Sequence, residues 1–462
     1  MYILTTYLQK LLGDEYPLFL SAQPEPPCIR ANTLKSDVEH ILDLLHRYKV
    51  PYRPHPFNPT GFIIEDDFLP LSHSLAFFLG HFFYQGMASQ LPALALDPQP
   101  GETVLDIAAA PGSKSTQIAA LMQNKGRLIL NDASFRRHQS LMTNLYRAGV
   151  CNEALYFMPG QRFGRILPEY FDRVLVDAPC FGLNHPPKRT DNPPHWSMSQ
   201  LRGLTNIQHH LLVSAIKAAK VGGIIVYSTC SMTVEENERL IDQILKEYPV
   251  EVDALPDWKS PSVRSGITRF DGAKFHESLK KALRIMPFPE PVEGFFIVRL
   301  KKTASVPKRP TDKALTYRPV KHASEEEIAS LLDYLYQRWG LEMPENYHYL
   351  TTKKRLYFLS NDWEQIPADG LMMAGLPLAI NKGRQWKLTN ASVQLFGDRI
   401  TKSLIELSEE QLKELFKQSK LLVQGFRNGY YVLRYHKQSI AIVSVIDGVM
   451  KTSIPHSFNL IL

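Results

Sequence analysis

The chain has 462 residues, a formal net charge of +7 and 44% hydrophobic residues. At about 150 residues per domain, this length predicts roughly three domains, each with enough apolar residues for a buried core. The moderate positive charge is compatible with an anionic partner such as nucleic acid but does not require one.

The cysteines exclude two common kinds of site. They contain no C-x-x-C pair, so neither a zinc finger nor a disulfide framework is indicated, and we expect no bound metal. Free thiols suit the reducing cytoplasm, and the first residues lack the basic and apolar segments of a signal peptide. The four cysteines are Cys28, Cys151, Cys180 and Cys230.

Residues 1–74 predict a small α+β lobe. Residues 1–14 and Asp37–Arg47 have helical patterns, whereas Cys28–Leu34 and Gly61–Glu65 have the patterns of strands. The lobe has no motif of aromatic residues for stacking on RNA bases. This favours packing against the rest of the chain over direct contact with RNA.

The stretch from Phe68 to Leu96 contains no Asp, Glu, Lys or Arg. It is long enough to cross a bilayer, which takes about 20 apolar residues. However, it contains polar residues such as His73, His81 and Gln85, which would be unfavourable in hydrocarbon. We therefore predict buried connecting structure and no membrane span.

Strand and helix patterns alternate between residues 75 and 301. This alternation predicts a mostly parallel, doubly wound α/β sheet. The candidate strands are 103–107, 127–131, 154–158, 172–177, 224–229 and 295–301.

The first βαβ unit of this region carries a candidate ligand site. A strand from Thr103 to Asp106 is followed by a turn of small residues, Ala108 to Lys114, where the main chain can approach a ligand closely. The second strand leads to Asp132, a carboxylate suited to ribose hydroxyls. The turn lacks G-x-G-x-x-G spacing, so a nucleoside cofactor is favoured over a phosphate-rich one, although many α/β folds pack this way without a ligand.

Two cysteines follow strands of the same predicted sheet. Cys180 comes after the strand that leads into Asp177, and Cys230 directly follows the strand ending at Thr229. Because the carboxyl ends of parallel strands meet at one edge, we expect both thiols to lie over the candidate cofactor turn. A cysteine at a strand end is ordinarily a small buried hydrophobe, as we predict for the other two.

The segments DIAAAPGSKS, VDAPCFG and YSTCSMTVEENE resemble the three signature motifs of the RNA cytosine-5 methyltransferases of the Sun/nucleolar-protein type. RANTLK (30–35), YQGMAS (84–89) and NDASFRR (131–137) match further family positions, so the resemblance covers roughly residues 1–300. It implies a class I S-adenosylmethionine-dependent methyltransferase fold, with a Rossmann-like sheet in residues 75–301 and an RRM-like lobe before it.

The resemblance also implies roles for three residues. In this chemistry a thiolate adds to carbon 6 of cytosine, which makes carbon 5 nucleophilic. The resemblance assigns the nucleophile to Cys230, release of the product to Cys180, and contact with N3 and the exocyclic amine to Asp177. The residues alone do not choose between the thiols, because DNA cytosine-5 enzymes use the cysteine of a Pro-Cys motif.

S-adenosylmethionine is the implied cofactor. The resemblance places Asp132 on its ribose and Asp177 near its methyl group, and it adds Arg137 to the cofactor site. It places the methionine part against Ala108, Ala109, Ala110, Pro111, Gly112, Ser113 and Lys114.

The sequence departs from the family pattern at two sites. After the third strand, Met158 to Gly160 replace an expected acidic residue, so we expect adenine to meet main chain or apolar groups. The usual Ser-Gly-x-Gly is Phe181 to Asn184, and Phe181 either stacks on a flipped base or fills space. Lys188 and Arg189, in the loop that follows, could meet phosphates.

Three glutamates, Glu235, Glu236 and Glu238, follow the second cysteine motif. We predict that they lie in the first turn of a helix. Carboxylates there interact favourably with the helix dipole, which is a sufficient structural reason for them.

The last third of the chain predicts an extension in three parts. Residues 302–322 are basic, contain proline and lack periodicity, which indicates a linker. Residues 323–385 mix helix and strand patterns, as in an α+β subdomain. Residues 386–462 predict a small β-barrel similar to the PUA-like domain of some family members, which implies contact with RNA.

Together the motifs and this extension imply an enzyme that forms 5-methylcytosine in 16S ribosomal RNA of the 30S subunit, acting as a cytoplasmic monomer. One alternative is the same chemistry on transfer RNA, because the motifs do not separate these substrates. Another is a ribosome-assembly or RNA-binding protein with weakened catalysis, because of the two departures.

Overall fold

The computed structural model describes residues 2–66, 69–186, 197–307, 324–344, 347–363, 366–367, 370–383, 385–452 and 460–461. The predicted phosphate contacts Lys188 and Arg189 and most of the predicted linker lie outside these ranges.

The N-terminal lobe contains an antiparallel sheet with the strand order β2-β3-β1-β4 and a β-α-β-β-α-β connectivity. Its elements are α1 (Tyr2–Leu12), α2 (Tyr16–Leu20), β1 (Cys28–Ala31), α3 (Val38–Arg47), β2 (Tyr52–Pro54), β3 (Gly61–Ile64), α4 (Leu69–Ser72), α5 (Leu75–Leu79) and β4 (Phe82–Tyr84). This arrangement confirms the predicted small α+β lobe.

The lobe differs from its predicted bounds of 1–74 at both ends. Strand β4 pairs with β1, placing Tyr84 opposite Ile29, so the lobe's sheet extends past residue 74. Helix α1 instead packs its buried Leu4 and Leu8 against Phe288, which belongs to the following domain. Both differences arise from contacts between residues far apart in the chain, which local patterns do not encode.

The central domain contains α6 (Leu91–Leu96), β5 (Thr103–Asp106), α7 (Ser113–Leu121), β6 (Arg127–Asn131), α8 (Phe135–Ala148), β7 (Glu153–Tyr156), α9 (Phe163–Ile166), β8 (Phe171–Asp177), α10 (Met198–Ala218), β9 (Ala219–Thr229), α11 (Glu238–Glu247), β10 (Val250–Val252), β11 (Val263–Ser265), β12 (Arg269–Phe270), β13 (Ala273–Lys274), β14 (Leu283–Ile285) and β15 (Phe295–Lys302).

The C-terminal part contains α12 (Glu325–Trp339), β16 (Tyr347–Thr351), β17 (Arg355–Ser360), β18 (Leu371–Ala374), β19 (Leu376–Asn381), β20 (Trp386–Leu388), α13 (Asn390–Phe396), β21 (Leu404–Glu406), α14 (Glu409–Gln418), β22 (Lys420–Leu422), β23 (Gly429–Tyr435), β24 (Gln438–Ile446) and β25 (Val449–Thr452).

The strands of the central sheet follow the order β11-β14-β15-β9-β8-β5-β6-β7-β18, and β10 pairs with β15. The strands β5 to β9 run parallel to one another, whereas β15 is antiparallel to β9 and β18 is antiparallel to β7. All six predicted strands are therefore present in one doubly wound sheet. The chain moves outward from β5 to β7 and returns to β8 on the other side of β5, and a ligand crevice forms at such a reversal.

Both faces of this sheet are buried, which explains the continuous apolar runs of its strands. Val104 and Leu105 of β5 face opposite sides. Val104 packs with Ile118 and Leu141 of α7 and α8, whereas Leu105 packs with Leu212 of α10. The two layers of helices fix the position of the strand ends that carry the predicted site.

The apolar stretch before β5 is buried connecting structure, as predicted. It forms α4, α5, β4 and α6, and Leu91, Ala93 and Leu96 are fully shielded from solvent. In the part of the chain that the structure describes, no helix is both long and apolar enough to cross a bilayer.

The C-terminal part forms a sheet of the order β16-β17-β19-β20 and another of the order β21-β23-β24-β25-β22. The predicted boundary between residues 385 and 386 passes through the first of these sheets, where Asn381 of β19 pairs with Trp386 of β20. Strand β18 belongs to neither of these sheets and instead pairs with β7 of the central domain. The PUA-like assignment of the last part stays a prediction.

Candidate active site

The turn after β5 holds the predicted cofactor residues between a buried strand and helix α7. Ser115 in the first turn of α7 donates its hydroxyl to Asp106 Oδ2 at 2.7 Å. Gly112 has a φ of +104°, and a Cβ atom there would lie 2.9 Å from Leu141 Cδ1. Glycine therefore permits both the turn and its close contact with α8. Burial raises the pKa of Asp106 to about 7.

Asp132 is bound directly to this turn. Its Oδ2 accepts the main-chain N–H of Ala110 at 3.2 Å, and its Oδ1 accepts that of Ser134 at 2.8 Å. Arg137 lies 3.4 Å from Asp132 Oδ2 and donates to the carbonyl of Ala110. The structure thus joins three of the predicted cofactor residues in one cluster.

This cluster fits S-adenosylmethionine. The small residues of the turn line the crevice where β5 and β8 diverge, the usual place for a nucleoside in such sheets. Asp132 supplies the carboxylate expected for ribose hydroxyls. The absence of a Cβ at Gly112 keeps the main chain of the turn compact at the point where the methionine part would lie.

Met158 lies where an acidic residue was expected. Its side chain is buried, and its main-chain N–H donates to Asn131 Oδ1 at 3.1 Å. Because this N–H is already engaged, apolar contact with adenine is favoured over a main-chain hydrogen bond at this residue. A Cβ atom at Gly370, in the C-terminal part, would lie 2.9 Å from the Met158 side chain, so the two segments are in contact.

Cys180 and Cys230 meet above the end of the sheet. Asp177 of β8 lies opposite Ser228 of β9 in the parallel register, and each cysteine follows its strand from there. Their sulfur atoms are 2.6 Å apart, and both side chains are half-buried. The other two cysteines are fully buried elsewhere, as predicted for structural residues.

Asp177 connects the two cysteines to the cofactor turn. Its Oδ1 accepts the Ser228 hydroxyl at 2.8 Å, and its Oδ2 forms an ion pair with Lys114 at 2.8 Å. Lys114 also donates to Ser89 Oγ at 2.9 Å. The sequence reasoning placed Lys114 on the cofactor and missed this ion pair and the role of Ser228, because both depend on which strands become neighbours.

The two thiols have opposite pKa shifts. The hydrogen bond from Cys180 lowers the pKa of Cys230, whereas burial and the negative charge of Asp177 oppose this effect and the positive charge of Lys114 adds to it. The same hydrogen bond raises the pKa of Cys180, with burial and the negative charge of Glu236 acting in the same direction. Cys230 is therefore the thiol that ionises first, which makes it the better nucleophile.

Of the three glutamates after Cys230, only Glu238 lies in the first turn of a helix, so the prediction is confirmed for Glu238 and wrong for Glu235 and Glu236. Helix α11 begins at Glu238, so Glu235 and Glu236 precede it. Glu238, in the first turn of α11, is also buried and forms an ion pair with Arg284 at 2.5 Å, a contact that was not predicted. Tertiary contacts of this kind leave no periodic pattern in the sequence.

Phe181 lies directly beside the thiol pair. Its ring is half-buried and packs against the apolar cluster that includes Leu183 and Met232. This contact fits the space-filling alternative, and stacking on a flipped base stays a prediction.

Comparisons with known proteins agree with this geometry. A family model described as 16S rRNA methyltransferase RsmB/F matches residues 93–301. Ribosomal RNA small subunit methyltransferase F of Erwinia tasmaniensis is 31% identical over 97% of this chain and 94% of its own length. The protein of the same name from an Enterobacter species is 34% identical over 86% of this chain and 82% of its own.

A solved structure supports the fold. The methyltransferase homolog protein from Pyrococcus horikoshii is 32% identical, with a TM-score of 0.60, and the match covers 65% of this chain and 95% of that one. The expected class I methyltransferase fold and its cofactor, S-adenosylmethionine, are thus confirmed. With near-complete coverage at above 30% identity, the chain belongs to the RsmB/F family of 16S rRNA methyltransferases.

Proposed function

We propose that this protein methylates carbon 5 of a cytosine in 16S ribosomal RNA, through a covalent bond between Cys230 and carbon 6 of the base. The observation that carries the proposal is the pair of thiols, Cys180 and Cys230, beside the Lys114–Asp177 ion pair at the carboxyl edge of the sheet. The choice of RNA rests on the relatives, which are named as small-subunit ribosomal RNA methyltransferases.

Cys230 begins the reaction. Its lowered pKa favours the thiolate, which adds to carbon 6 and moves electron density to carbon 5. S-adenosylmethionine, held by the turn 108–114 and Asp132, supplies the methyl group as an electrophile. Without the thiolate, carbon 5 of cytosine is too weak a nucleophile to accept it.

Asp177 orients the base. Its carboxylate is fixed from two sides, by the Ser228 hydroxyl and by Lys114, and retains partial exposure toward the crevice. The covalent adduct of cytosine carries a proton on N3, so it would present two donors, the N3–H and the exocyclic amine, to this carboxylate. The rigid attachment restricts the base to one orientation, which is how positioning residues lower a barrier.

Cys180 acts in the release of the product. After methylation, water in the crevice takes the proton from carbon 5. The electron pair of that C–H bond forms the double bond between carbons 5 and 6, and the bond between carbon 6 and Cys230 breaks, which restores the aromatic ring and the thiolate. The raised pKa of Cys180 keeps its thiol protonated while Cys230 reacts. The close approach of the two sulfur atoms supports this role, because Cys180 would then lie beside the bond that must break.

The direct test uses radiolabelled S-adenosylmethionine and three acceptors, all from cells that lack this gene. The acceptors are naked 16S RNA, assembled 30S subunits and bulk transfer RNA, and nucleoside analysis identifies the product. Label in 5-methylcytosine of either ribosomal acceptor supports the proposal. Label in transfer RNA alone would overturn the substrate, and label in another nucleoside would overturn the chemistry.

A further inference from the structure

The side chain of Glu236 lies between the two loops that carry the cysteines. It is 0% exposed, although a carboxylate is rarely buried without strong partners. Its main-chain carbonyl accepts the hydroxyl of Tyr227, on β9, at 2.7 Å, which attaches this residue to the central sheet. The main chain that carries this carboxylate is therefore fixed next to the loop after Cys230.

Both oxygens of Glu236 accept hydrogen bonds, and the donors come from both cysteine loops. Oε1 accepts the main-chain N–H of Phe181, the residue after Cys180, at 2.9 Å. Oε2 accepts the hydroxyls of Ser231, the residue after Cys230, and of Thr233, the latter at 2.7 Å. A single carboxylate thus connects the residue after each cysteine.

Helix α10 contributes a further donor. Gln208 is fully buried, and its Nε2 donates both to Glu236 Oε1 and to the carbonyl of Pro179, each at 2.9 Å. The loop around Cys180 is therefore held on both sides of the cysteine, at Pro179 and at Phe181. Glu236 itself makes the contact at Phe181, and Gln208, which donates to Glu236, makes the contact at Pro179.

We propose that Glu236 is the positioning residue that sets the distance between Cys180 and Cys230. It thereby controls the change from attack by Cys230 to product release assisted by Cys180. The inference rests on the proposed function, because attack by one cysteine and release assisted by the other are steps of that reaction. A short, charge-assisted hydrogen bond is roughly twice as strong as a neutral one, so four of them restrict two loops that otherwise follow separate strands. An error of about 1 Å in such an arrangement can reduce turnover roughly 100-fold.

The charge of Glu236 adds a second effect to the same geometry. It acts on Cys180, raising the pKa of that thiol, whereas the cation of Lys114 acts on Cys230. The hydrogen bond between the thiols is the largest cause of both pKa shifts, and Glu236 and Lys114 add to the separation of the two ionisations. This separation assigns different roles to chemically identical side chains.

The neighbouring glutamates provide matched comparisons. Glu235 accepts the hydroxyl of Tyr7 at 2.5 Å, and Glu238 pairs with Arg284, so neither carboxylate bonds directly to a cysteine loop, although Tyr7 and Arg284 bond to the main chain of Val234 and Met232. Their contacts hold helix α1 and strand β14. Unlike these two residues, Glu236 bonds directly to both cysteine loops, which is what we expect of a residue that positions the thiols.

The test compares Glu236→Gln with Glu235→Gln in the full-length protein. We expect kcat for methyl transfer to fall about 100-fold in Glu236→Gln, with KM for the RNA changed less than threefold. Binding of S-adenosylmethionine, measured by calorimetry, remains and reports that the domain is folded. Glu235→Gln keeps kcat within about threefold of the parent, because the Glu235 carboxylate bonds directly to neither cysteine loop.

Two measurements on the thiols need no RNA. With diamide as oxidant, the yield of the Cys180–Cys230 disulfide, read by mass spectrometry, should fall at least fivefold in Glu236→Gln. The pH midpoint for alkylation of Cys180 should move to lower pH, because the neighbouring negative charge is gone. A merely structural role would leave that midpoint unchanged in a variant that still binds the cofactor.

The variant Thr233→Val provides a second route if Glu236→Gln does not fold, since it removes one donor and keeps the charge. We expect a smaller decrease in kcat and in disulfide yield and no change in the alkylation midpoint of Cys180. Parent-like kcat and disulfide yield in the folded variants would overturn this inference alone. Absence of methylation by the parent protein would instead overturn the proposed function, while the thiol measurements would still decide the positioning role.

Discussion

At the scale of single side chains, a cation that an ion pair holds in place contributes to the reactivity of Cys230, beside the larger effect of the hydrogen bond from Cys180. Lys114 lies in the first turn of α7 and pairs with Asp177, so it cannot move away from the crevice without leaving a carboxylate unpaired. Its charge lowers the pKa of Cys230 and stabilises the thiolate. The ammonium group of Lys114 therefore links the cofactor turn to the nucleophile.

Replacement of Lys114 should slow the reaction of the Cys230 thiol with an alkylating reagent. In Lys114→Gln the pKa of Cys230 rises, and a rise of about one unit reduces the thiolate fraction roughly tenfold at any pH below it. Alkylation of Cys230 by iodoacetamide, followed by mass spectrometry from pH 6 to 10, measures this shift. Lys125→Gln, at an exposed position before β6, serves as the control. An unchanged midpoint in Lys114→Gln would contradict the electrostatic role.

The two cysteines should give different phenotypes when they are replaced. Cys230→Ala removes the nucleophile, so both turnover and any protein–RNA adduct should be lost. Cys180→Ala leaves the nucleophile in place but impairs release, so a covalent adduct should accumulate and appear as a shifted band on a denaturing gel. Cys151→Ala, at a buried position far from the other thiols, should behave as the parent. No adduct in Cys180→Ala under turnover conditions would argue against this division of roles.

At the scale of elements, strand β7 contains a buried acid that has no part in the proposed chemistry. Glu153 opens this strand and is completely shielded from solvent, and burial raises its pKa well above the ordinary value. The side chain is therefore neutral in the folded protein at pH values where it is ionised in the unfolded chain. Folding then takes up a proton at this residue.

The sign of the resulting pH dependence follows from this proton. Because the folded state binds more protons, the free energy of unfolding falls as pH rises from about 4.5 toward the raised pKa, by up to about 1.4 kcal/mol per pH unit. Urea unfolding between pH 5 and 8 measures the slope. In Glu153→Gln, which is neutral at every pH, the slope should become shallower, whereas Glu251→Gln, at an exposed position on β10, should leave it unchanged. Identical slopes in the parent and Glu153→Gln would contradict the prediction.

At the scale of the whole molecule, the C-terminal part completes the central domain instead of following it as an independent unit. Strand β18 covers the edge of β7, and Trp363 is buried in the same apolar cluster as Phe163. Tyr156 of β7 also donates its hydroxyl to the carbonyl of Pro367 at 2.6 Å. The central sheet therefore depends on residues that lie more than 200 positions further along the chain.

A chain that ends at Lys302 should therefore be less stable than the full chain. It would leave the β7 edge unpaired and part of the core open to solvent, and open strand edges promote association between molecules. We expect a lower midpoint of thermal unfolding, by at least about 5 °C, which corresponds to a loss of about 2 kcal/mol or more in a chain of this size. Light scattering should show self-association. An equal midpoint and a monodisperse shortened chain would show that the central domain folds independently.

The sequence by itself determined the central sheet and the place of the site. The apolar runs 103–107 and 224–229 are buried on both faces, so their patterns identify strands without knowledge of the neighbours. Parallel strands share a carboxyl edge, so Cys180 and Cys230 could be expected to meet there before the distance between them was known. The strand patterns and the shared carboxyl edge are local or topological properties, so they can be predicted from the sequence of one chain.

Only the tertiary structure decided which groups act on the thiols and where the domains end. The pairing of Asp177 with Lys114 and the four bonds to Glu236 depend on loops that approach through space, which no periodicity encodes. For the same reason, β4 and β18 were assigned to the wrong side of predicted boundaries, because strand pairing is a long-range interaction. Local patterns thus specified the strands and the reactive residues, whereas their charges, distances and partners were set by packing between distant segments.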